Sequence, residues 1–227
     1  MRIAEMLRFA EERGEPTFSF EFFPPRDDAG NAALFEAIKA LRPLAPAFAS
    51  VTWGAGGSTS GKTLEMVSRI KRDTEIEAMA HLTCVGVSRA ELVSHLQTIC
   101  DAGITNVLAL RGDPPRGQRQ FVAHPDGLSY GSELVRLARE VATAKGVDLC
   151  VGGACYPEGH PENRDLAADL RNCKIKVDAG AEFLITQLFF DNRKYFDFVG
   201  RARASGITVP ILPGIMPITN VSQIERF

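Results

Sequence analysis

An apolar run early in the chain, Phe18-Ser19-Phe20-Glu21-Phe22-Phe23-Pro24-Pro25-Arg26, places one carboxylate among four phenylalanines and stops at two prolines. Side chains alternate between faces along a β-strand, so the phenylalanines at 18, 20 and 22 share one face and Glu21 lies on the other with Ser19. The run therefore predicts a strand with Glu21 near its carboxyl end, where parallel α/β proteins bind ligands. This segment alone leaves a second interpretation open, an ordinary strand with a surface glutamate.

Apolar extended segments alternate with amphipathic helical patterns through the rest of the chain, which is typical of repeated βα units. The predicted strands are residues 17–23, 48–53, 77–84, 106–111, 149–155, 183–189 and 209–215. The predicted helices between them are residues 31–41, 63–72, 89–101, 132–145, 165–178 and 193–204. A further amphipathic helix is predicted over residues 1–12, before the first strand.

Polar and small residues follow every predicted strand, whereas a doubly wound sheet needs them only at its switch point. We therefore predict an α/β fold, a (β/α)8 TIM barrel present as about seven βα units, with the C-terminal eighth strand missing. Such a barrel usually takes about 250 residues. We expect residues 1–227 to form a single barrel domain without a regulatory domain, taken from a longer enzyme, with one open seam between the first and seventh strands.

The composition is that of an ordinary globular protein, with 227 residues, 45% hydrophobic and 24% charged. A net charge of -2 with scattered Lys and Arg gives no indication of a nucleic-acid partner or a basic membrane face. No apolar run approaches the roughly 20 residues of a membrane span. The five cysteines form no C-x-x-C pair and are interpreted as reduced core residues of a cytoplasmic protein: Cys84, Cys100, Cys150, Cys155 and Cys173.

The segment GGSTSGKT at residues 56–63 matches the phosphate-binding pattern G-x-x-x-x-G-K-[ST] between a predicted strand and a predicted helix. A P-loop ATP-binding enzyme, with Asp191 as the acid of the magnesium site, is therefore the alternative function. This alternative leaves Glu21 and the segments 111–115 and 156–162 without a role. We expect no metal site, because His95 and His124 have no second ligand at metal-binding spacing.

Seven segments occur in an order that resembles the methylenetetrahydrofolate reductase family. They are FSFEFFPPR at 18–26, VTWGAGGST at 51–59, HLTC at 81–84, LRGDP at 110–114, YPEGHPE at 156–162, ITQLFF at 185–190 and PGIMPI at 213–218. Together they cover the chain from about residue 18 to residue 227. The resemblance implies a flavoprotein oxidoreductase that takes a hydride from NADH or NADPH onto FAD. The hydride then passes to 5,10-methylenetetrahydrofolate, giving 5-methyltetrahydrofolate, with the two substrates using one flavin face in turn.

By this resemblance Glu21 is the general acid that protonates N10 of the folate, and a carboxyl in an apolar pocket can hold its proton near neutral pH. Asp113 matches an acid near the flavin pyrimidine and the pterin, where its charge restrains the flavin's reduction potential and favours a cationic iminium. Gln187, Gln223 and Phe227 match folate contacts.

The flavin-binding positions implied by the resemblance are Trp53, Ala55, His81, Arg111, Gly112, Asp113, Tyr130, Gly131, Tyr156, His160, Asp169, Asn172 and Lys176. Thr52 matches a nicotinamide contact. The spacing of Asp169, Asn172 and Lys176 puts them on one helix face, where Lys176 can meet the pyrophosphate.

Two positions depart from some family members. Trp53 replaces a tyrosine and preserves an aromatic surface, whereas Ile175 replaces a basic residue, which we expect to weaken phosphate binding. The preference for NADH or NADPH stays open, because no dinucleotide fold with a ribose-reading acid is visible. We expect a homo-oligomer with methylenetetrahydrofolate as its substrate.

Overall fold

The computed structural model describes residues 1–25, 27–54, 60–114, 117, 120–163 and 165–221. The helices are α1 (Ile3–Arg13), α2 (Asp28–Leu41), α3 (Ser60–Thr74), α4 (Arg89–Asp101), α5 (Gly131–Lys145), α6 (Leu166–Asp178) and α7 (Asn192–Ala204), with a 3-10 turn at Arg42–Leu44. The strands are β1 (Ser19–Phe22), β2 (Phe48–Val51), β3 (Glu77–Thr83), β4 (Asn106–Leu110), β5 (Cys150–Cys155), β6 (Phe183–Thr186) and β7 (Ile211–Leu212).

The seven strands form one parallel sheet in the order β1 to β7. The sheet curls into a half-barrel, so the predicted TIM-barrel-like fold of about seven βα units is confirmed. As far as the described residues extend, β1 and β7 are its two edges. The predicted open seam lies between these edges.

Strand side chains divide into an outer and an inner set, as the two-residue period requires. The outer set, including Val51, Ala80 and Leu82, packs beneath the helices in the largest core cluster. The inner set forms a second cluster that joins α1 to five strands: Ile3, Leu7, Phe48, Met79, Leu108, Cys150 and Phe183. Burial contributes about 1.5–3 kcal/mol for each large aliphatic or aromatic side chain, so this cluster fixes α1 beneath the barrel. The lumen therefore opens towards the carboxyl ends of the strands.

The last two strands are shorter than the sequence predicts. Pro210 and Pro213 flank β7, and neither has an N–H to donate to a strand ladder. Beyond β6 and β7, the amide of Gly214 donates to the Thr186 hydroxyl at 2.8 Å instead of to a backbone carbonyl. Side-chain bonding thus replaces the regular ladder where these two strands end.

The helix ends follow local sequence signals. Ser88 and Glu91 form a capping box at the start of α4. Gly146 ends α5 with a φ of 66°, in the left-handed region that glycine enters freely. None of the helices in the described part of the chain is long and apolar enough to cross a membrane.

Candidate functional site

A cavity of about 2050 Å³ occupies the lumen and reaches the carboxyl ends of all seven strands. Every predicted site residue in the described ranges lines it. They are Glu21, Thr52, Trp53, His81, Arg111, Gly112, Asp113, Tyr130, Gly131, Tyr156, His160, Asp169, Asn172, Lys176 and Gln187. Ala55, Gln223 and Phe227 lie outside the described residues. The fold therefore gathers residues from distant parts of the sequence around one space.

Glu21 and His81 meet inside the barrel. Oε2 of Glu21 lies 3.6 Å from Nε2 of His81, and the side chains are 49% and 6% exposed. Glu21 lines the cavity, whose wall partly desolvates its carboxyl. Desolvation raises the pKa of Glu21 and lowers the pKa of His81 to about 4. Both groups are thereby driven towards their neutral forms.

Three buried polar atoms in the cavity wall have no hydrogen-bond partner among the described protein atoms: Nε1 of Trp53, Nε2 of His81 and Oγ1 of Thr83. A buried polar atom without a partner costs about 1–3 kcal/mol. A bound ligand with its own donors and acceptors would remove that cost. No role for Thr83 is predicted from the sequence, although the HLTC segment contains it.

The turn after β4 is tightly packed against the loop after β3. Gly112 has a φ of +88°, and a Cβ at this position would lie 2.6 Å from Cγ1 of Val85 and 3.0 Å from Cβ of Thr83. Only glycine fits such a turn without displacing its neighbours. Asp113 follows on an exposed edge of the cavity. The turn thus holds this carboxylate at the edge of the cavity.

Arg111 joins two walls of the cavity through a bidentate ion pair. Its two terminal nitrogens donate to the two carboxylate oxygens of Glu162, each at 2.7 Å. The ring of Phe121 lies 4.6 Å from the guanidinium carbon. The hydrogen bonds raise the pKa of Arg111 and lower the pKa of Glu162. The sequence predicts a role for Arg111 but indicates neither of its partners, although Glu162 belongs to the YPEGHPE segment.

One face of α6 lies against the loop that follows β5. Asp169 is 6% exposed, and its carboxylate accepts from the backbone amide of His160. The Lys176 ammonium donates to the Ala154 carbonyl at 2.7 Å and lies 5.9 Å from the centre of the Tyr156 ring. Tyr156 and His160 pack edge to face at 4.7 Å. The shared helix face predicted from the spacing of residues 169, 172 and 176 is therefore part of the cavity wall.

Burial also sets the protonation of this aromatic pair. Desolvation raises the pKa of Tyr156 to about 12, with the charge of Asp113 acting in the same direction. Desolvation lowers the pKa of His160, and the Arg111 charge adds to that effect. Tyr156 therefore remains a phenol at neutral pH, and His160 remains an uncharged imidazole.

The remaining predicted residues border the cavity on separate elements. Tyr130 is 65% exposed beside the start of α5, where a Cβ on Gly131 would lie 3.3 Å from the Arg111 amide. Gln187 follows β6, and its side-chain oxygen accepts from the Leu188 amide at 2.9 Å. That contact leaves the NH2 group of the Gln187 amide as the end available to a ligand.

The described part of the P-loop pattern is not arranged for phosphate binding. Thr63 is fully buried, and its hydroxyl donates to the Thr52 carbonyl at 3.0 Å. Lys62 is exposed on α3 and is not among the residues that line the cavity. Asp191 caps α7 and pairs with Arg193. Residues 56–59 lie outside the described residues.

No group of three or more His, Cys, Asp or Glu side chains in the described ranges is placed to hold a metal ion. The polar residues that do converge are donors and acceptors for an organic ligand: amides, hydroxyls, imidazoles, an indole and an ammonium. A parallel βα barrel with such a lumen at the carboxyl ends of its strands belongs to the large class of βα-barrel proteins that bind their ligands there.

The chain belongs to the methylenetetrahydrofolate reductase family, whose sequence pattern matches residues 6–227. It is 41% identical over 235 residues to "Methylenetetrahydrofolate reductase (NADH) 1" of Arabidopsis thaliana, covering 100% of this chain and 39% of the relative. It is 42% identical over 218 residues to "5,10-methylenetetrahydrofolate reductase" of Escherichia coli K12, covering 96% of this chain and 70% of the relative. The chain thus spans about two fifths of the length of the plant relatives.

Solved structures agree on the fold. The chain matches a 2,3-dimethylmalate lyase of the PEP mutase/isocitrate lyase superfamily with a TM-score of 0.66 at 11% identity, over 100% of this chain and 78% of that one. It matches a phosphonomutase-like protein from Burkholderia cenocepacia J2315 with a TM-score of 0.63 at 14% identity, over 97% and 88% of the two chains. At these identities the likeness concerns the fold alone.

Proposed function

We propose that this protein is a flavin-dependent reductase that converts 5,10-methylenetetrahydrofolate to 5-methyltetrahydrofolate with FAD as cofactor and NADH or NADPH as reductant. The observation that carries the proposal is the Glu21 carboxyl, held at 3.6 Å from the buried His81 in the lumen of a barrel of this family. The plant relatives are named for NADH, which supports NADH as the reductant. We further propose a cytoplasmic homo-oligomer in which residues 1–227 act as one barrel domain.

The residues of the cavity suit a flavin. An isoalloxazine ring has a polar pyrimidine edge and two flat apolar faces, so its site needs buried hydrogen-bonding groups beside aromatic surface. The unpartnered atoms of His81 and Thr83 meet the first need, and the ring of Tyr156 meets the second, whereas the ring of Trp53 packs in the helix-side core against His95. Bound FAD would supply the two-electron carrier between nicotinamide and folate.

Specific roles follow for the residues of this chain. The FAD-binding set would be Trp53, Ala55, His81, Arg111, Gly112, Asp113, Tyr130, Gly131, Tyr156, His160, Asp169, Asn172 and Lys176. Thr52 would contact the nicotinamide, and Gln187, Gln223 and Phe227 would contact the folate. Lys176, already in the cavity wall, would neutralise pyrophosphate charge, while the neighbouring Ile175, 50% exposed, offers no charge of its own.

Glu21 would act as the general acid. Hydride adds to an activated C=N bond, and protonation of N10 opens the folate's five-membered ring to that cationic form. A carboxyl whose pKa is raised by desolvation holds the required proton closer to neutral pH than an exposed glutamate does. Asp113 would favour the cationic iminium by its negative charge at the cavity mouth. The neutral His81 beside Glu21 avoids a positive charge that would drive the carboxyl to ionise.

An absorbance experiment tests the proposal. Protein mixed with FAD and freed of excess should show a flavin spectrum and quench the fluorescence of Trp53, the only tryptophan. Anaerobic NADH or NADPH should bleach that spectrum, and methylenetetrahydrofolate should restore it. A colourless protein that binds Mg-ATP instead would favour the P-loop alternative. Protein that retains FAD but cannot return electrons to the folate would contradict the proposed substrate.

A further inference from the structure

The ion pair between Arg111 and Glu162 spans two walls of the cavity. Arg111 follows β4, and Glu162 lies in the loop between β5 and α6. The paired bonds of 2.7 Å place guanidinium and carboxylate in the bidentate geometry that gives charge-assisted hydrogen bonds their strength and direction. Phe121 packs against the guanidinium and restricts it further. The pair therefore joins the two walls at two points.

Glu162 is also connected to α6 through its own loop. The backbone amide of Glu162 donates to Nδ1 of His160 at 3.1 Å. The backbone amide of His160 in turn donates to the carboxylate of Asp169, which is buried on α6. Because Nδ1 accepts a bond and the ring is uncharged, the ring proton resides on Nε2. The backbone amide at position 162 thus fixes which nitrogen His160 offers as a donor, and the Glu162 carboxylate holds that amide in place through Arg111.

We propose that Glu162 is a positioning residue of the cofactor site, acting through Arg111 and His160 rather than by touching the cofactor. This inference rests on the proposed function. Arg111, His160 and Asp169 come from three separate chain segments, and each is a proposed FAD contact. Glu162 is bonded to Arg111 through its carboxylate and to His160 through its backbone amide, and His160 in turn is bonded to Asp169. No other described side chain forms a two-point ion pair with Arg111.

The side chains of Arg111 and Glu162 are 22% and 39% exposed. A partly exposed pair of this kind adds little to global stability, because solvent screens it. Its loss should therefore change the arrangement of the cavity more than the folding of the chain. This difference separates a positioning role from a general structural role.

The test compares FAD affinity in Glu162→Gln, which keeps the size of the side chain and removes the charge, with Glu140→Gln. Glu140 pairs with Arg89 at 3.0 Å on the outer helices, so its substitution removes a matched carboxylate far from the cavity lining. FAD is titrated into apo-protein, and the melting temperature is measured without FAD. We expect about tenfold weaker FAD binding for Glu162→Gln, an unchanged apo melting temperature, and wild-type affinity for Glu140→Gln.

Amide hydrogen exchange supplies a readout that needs no cofactor. In apo Glu162→Gln, the amides of residues 160 and 162 should exchange faster than in wild type, while Glu162→Asp should recover part of the FAD affinity. Wild-type affinity in Glu162→Gln, or a loss of affinity matched by a large fall in apo melting temperature, would overturn the positioning role. A wild-type protein that takes up no FAD would overturn the proposed function and this role together.

Discussion

The carboxyl of Glu21 on β1 lies 3.6 Å from Nε2 of His81 on β3, across the inner face of β2. A glutamate beside a histidine usually suggests an ion pair. Here burial disfavours charge on both groups, raising the pKa of Glu21 and lowering the pKa of His81 to about 4. The imidazole is therefore uncharged at neutral pH, and the carboxyl holds its proton more tightly than an exposed glutamate does. That direction favours the proton donation that the proposed folate reduction needs at N10.

Glu21→Gln should separate the two halves of the proposed reaction. The amide keeps the size of the side chain and can still fill the lumen, but it cannot deliver a proton. We expect FAD binding and bleaching by NADH to stay within a few-fold of wild type, while reoxidation by methylenetetrahydrofolate falls by about 10²-fold or more, the usual contribution of a general acid. Stopped-flow absorbance measures both rates.

Glu36→Gln is the matched control for that experiment. Glu36 is exposed on α2 and pairs with Lys39 at 2.8 Å, away from the cavity lining. Both rates should equal those of wild type. If bleaching by NADH slowed in Glu21→Gln as severely as folate turnover, Glu21 would not be specific to the folate step.

Burial of His81 predicts a loss of stability in acid. The folded pKa of about 4 lies below the ordinary value of 6.5, so below pH 6.5 the unfolded chain binds a proton that the folded chain does not. The contribution of His81 to the free energy of unfolding is fully present above pH 6.5 and is lost as the pH falls towards 4. It amounts to about 2 kcal/mol between pH 7 and pH 5. The raised pKa of Glu21 acts in the opposite direction, because its contribution to the free energy of unfolding is lost as the pH rises.

Urea unfolding at pH 7 and pH 5 measures this effect. The difference in unfolding free energy between the two pH values should shrink in His81→Gln. His95→Gln should shrink it less, because His95 is only half-buried and its pKa is lowered by a weaker desolvation. If the difference in unfolding free energy between pH 7 and pH 5 were the same in His81→Gln as in wild type, the fold would not be holding the His81 imidazole neutral.

The sequence pattern was sufficient to place Glu21 on the inner face of its strand, because alternation along four residues is strict and the phenylalanines on either side must face the helices. It could not predict the neighbour of Glu21. That neighbour depends on the register of β1 on β2 and of β2 on β3, and on the curl of the sheet. The distance between side chains on different strands depends on the tertiary structure and cannot be predicted from the local sequence.

Glu162 shows a second limit. The YPEGHPE segment indicated that Glu162 lies near the cavity. The local sequence around Glu162 does not indicate which residue it pairs with. The partner, Arg111, is 51 residues away and reaches it only because β4 and β5 are neighbours. The short length of β7 was not predicted either. The prolines that flank it limit strand pairing more than its apolar residues favour pairing.

Lys62→Ala separates the reductase from the P-loop alternative. A phosphate-binding lysine is indispensable to an ATP enzyme, whereas Lys62 is exposed on α3 and does not line the cavity. We expect FAD uptake and reductase activity within about twofold of wild type, since surface substitutions rarely change stability by more than about 0.5 kcal/mol. Lys39→Ala, at an exposed position on α2, is the control. If Lys62→Ala, but not Lys39→Ala, lost both activity and Mg-ATP binding, the P-loop alternative would be favoured over the reductase.

Gly112 and Gly117 form a natural pair for testing the turn after β4, because both have a φ of +88°. Alanine at either position should lose about 1–2 kcal/mol from the strained backbone. At Gly117 no described atom lies within 4 Å of the added Cβ, whereas at Gly112 the Cβ would lie 2.6 Å from Cγ1 of Val85 and 3.0 Å from Cβ of Thr83. Overpacking of this kind costs about 1–3 kcal/mol more. Urea unfolding should therefore find Gly112→Ala less stable than Gly117→Ala, and FAD titration should find weakened binding only in Gly112→Ala, whose turn carries Arg111 and Asp113. Equal stability and equal FAD affinity in the two variants would show that the turn does not need this close contact.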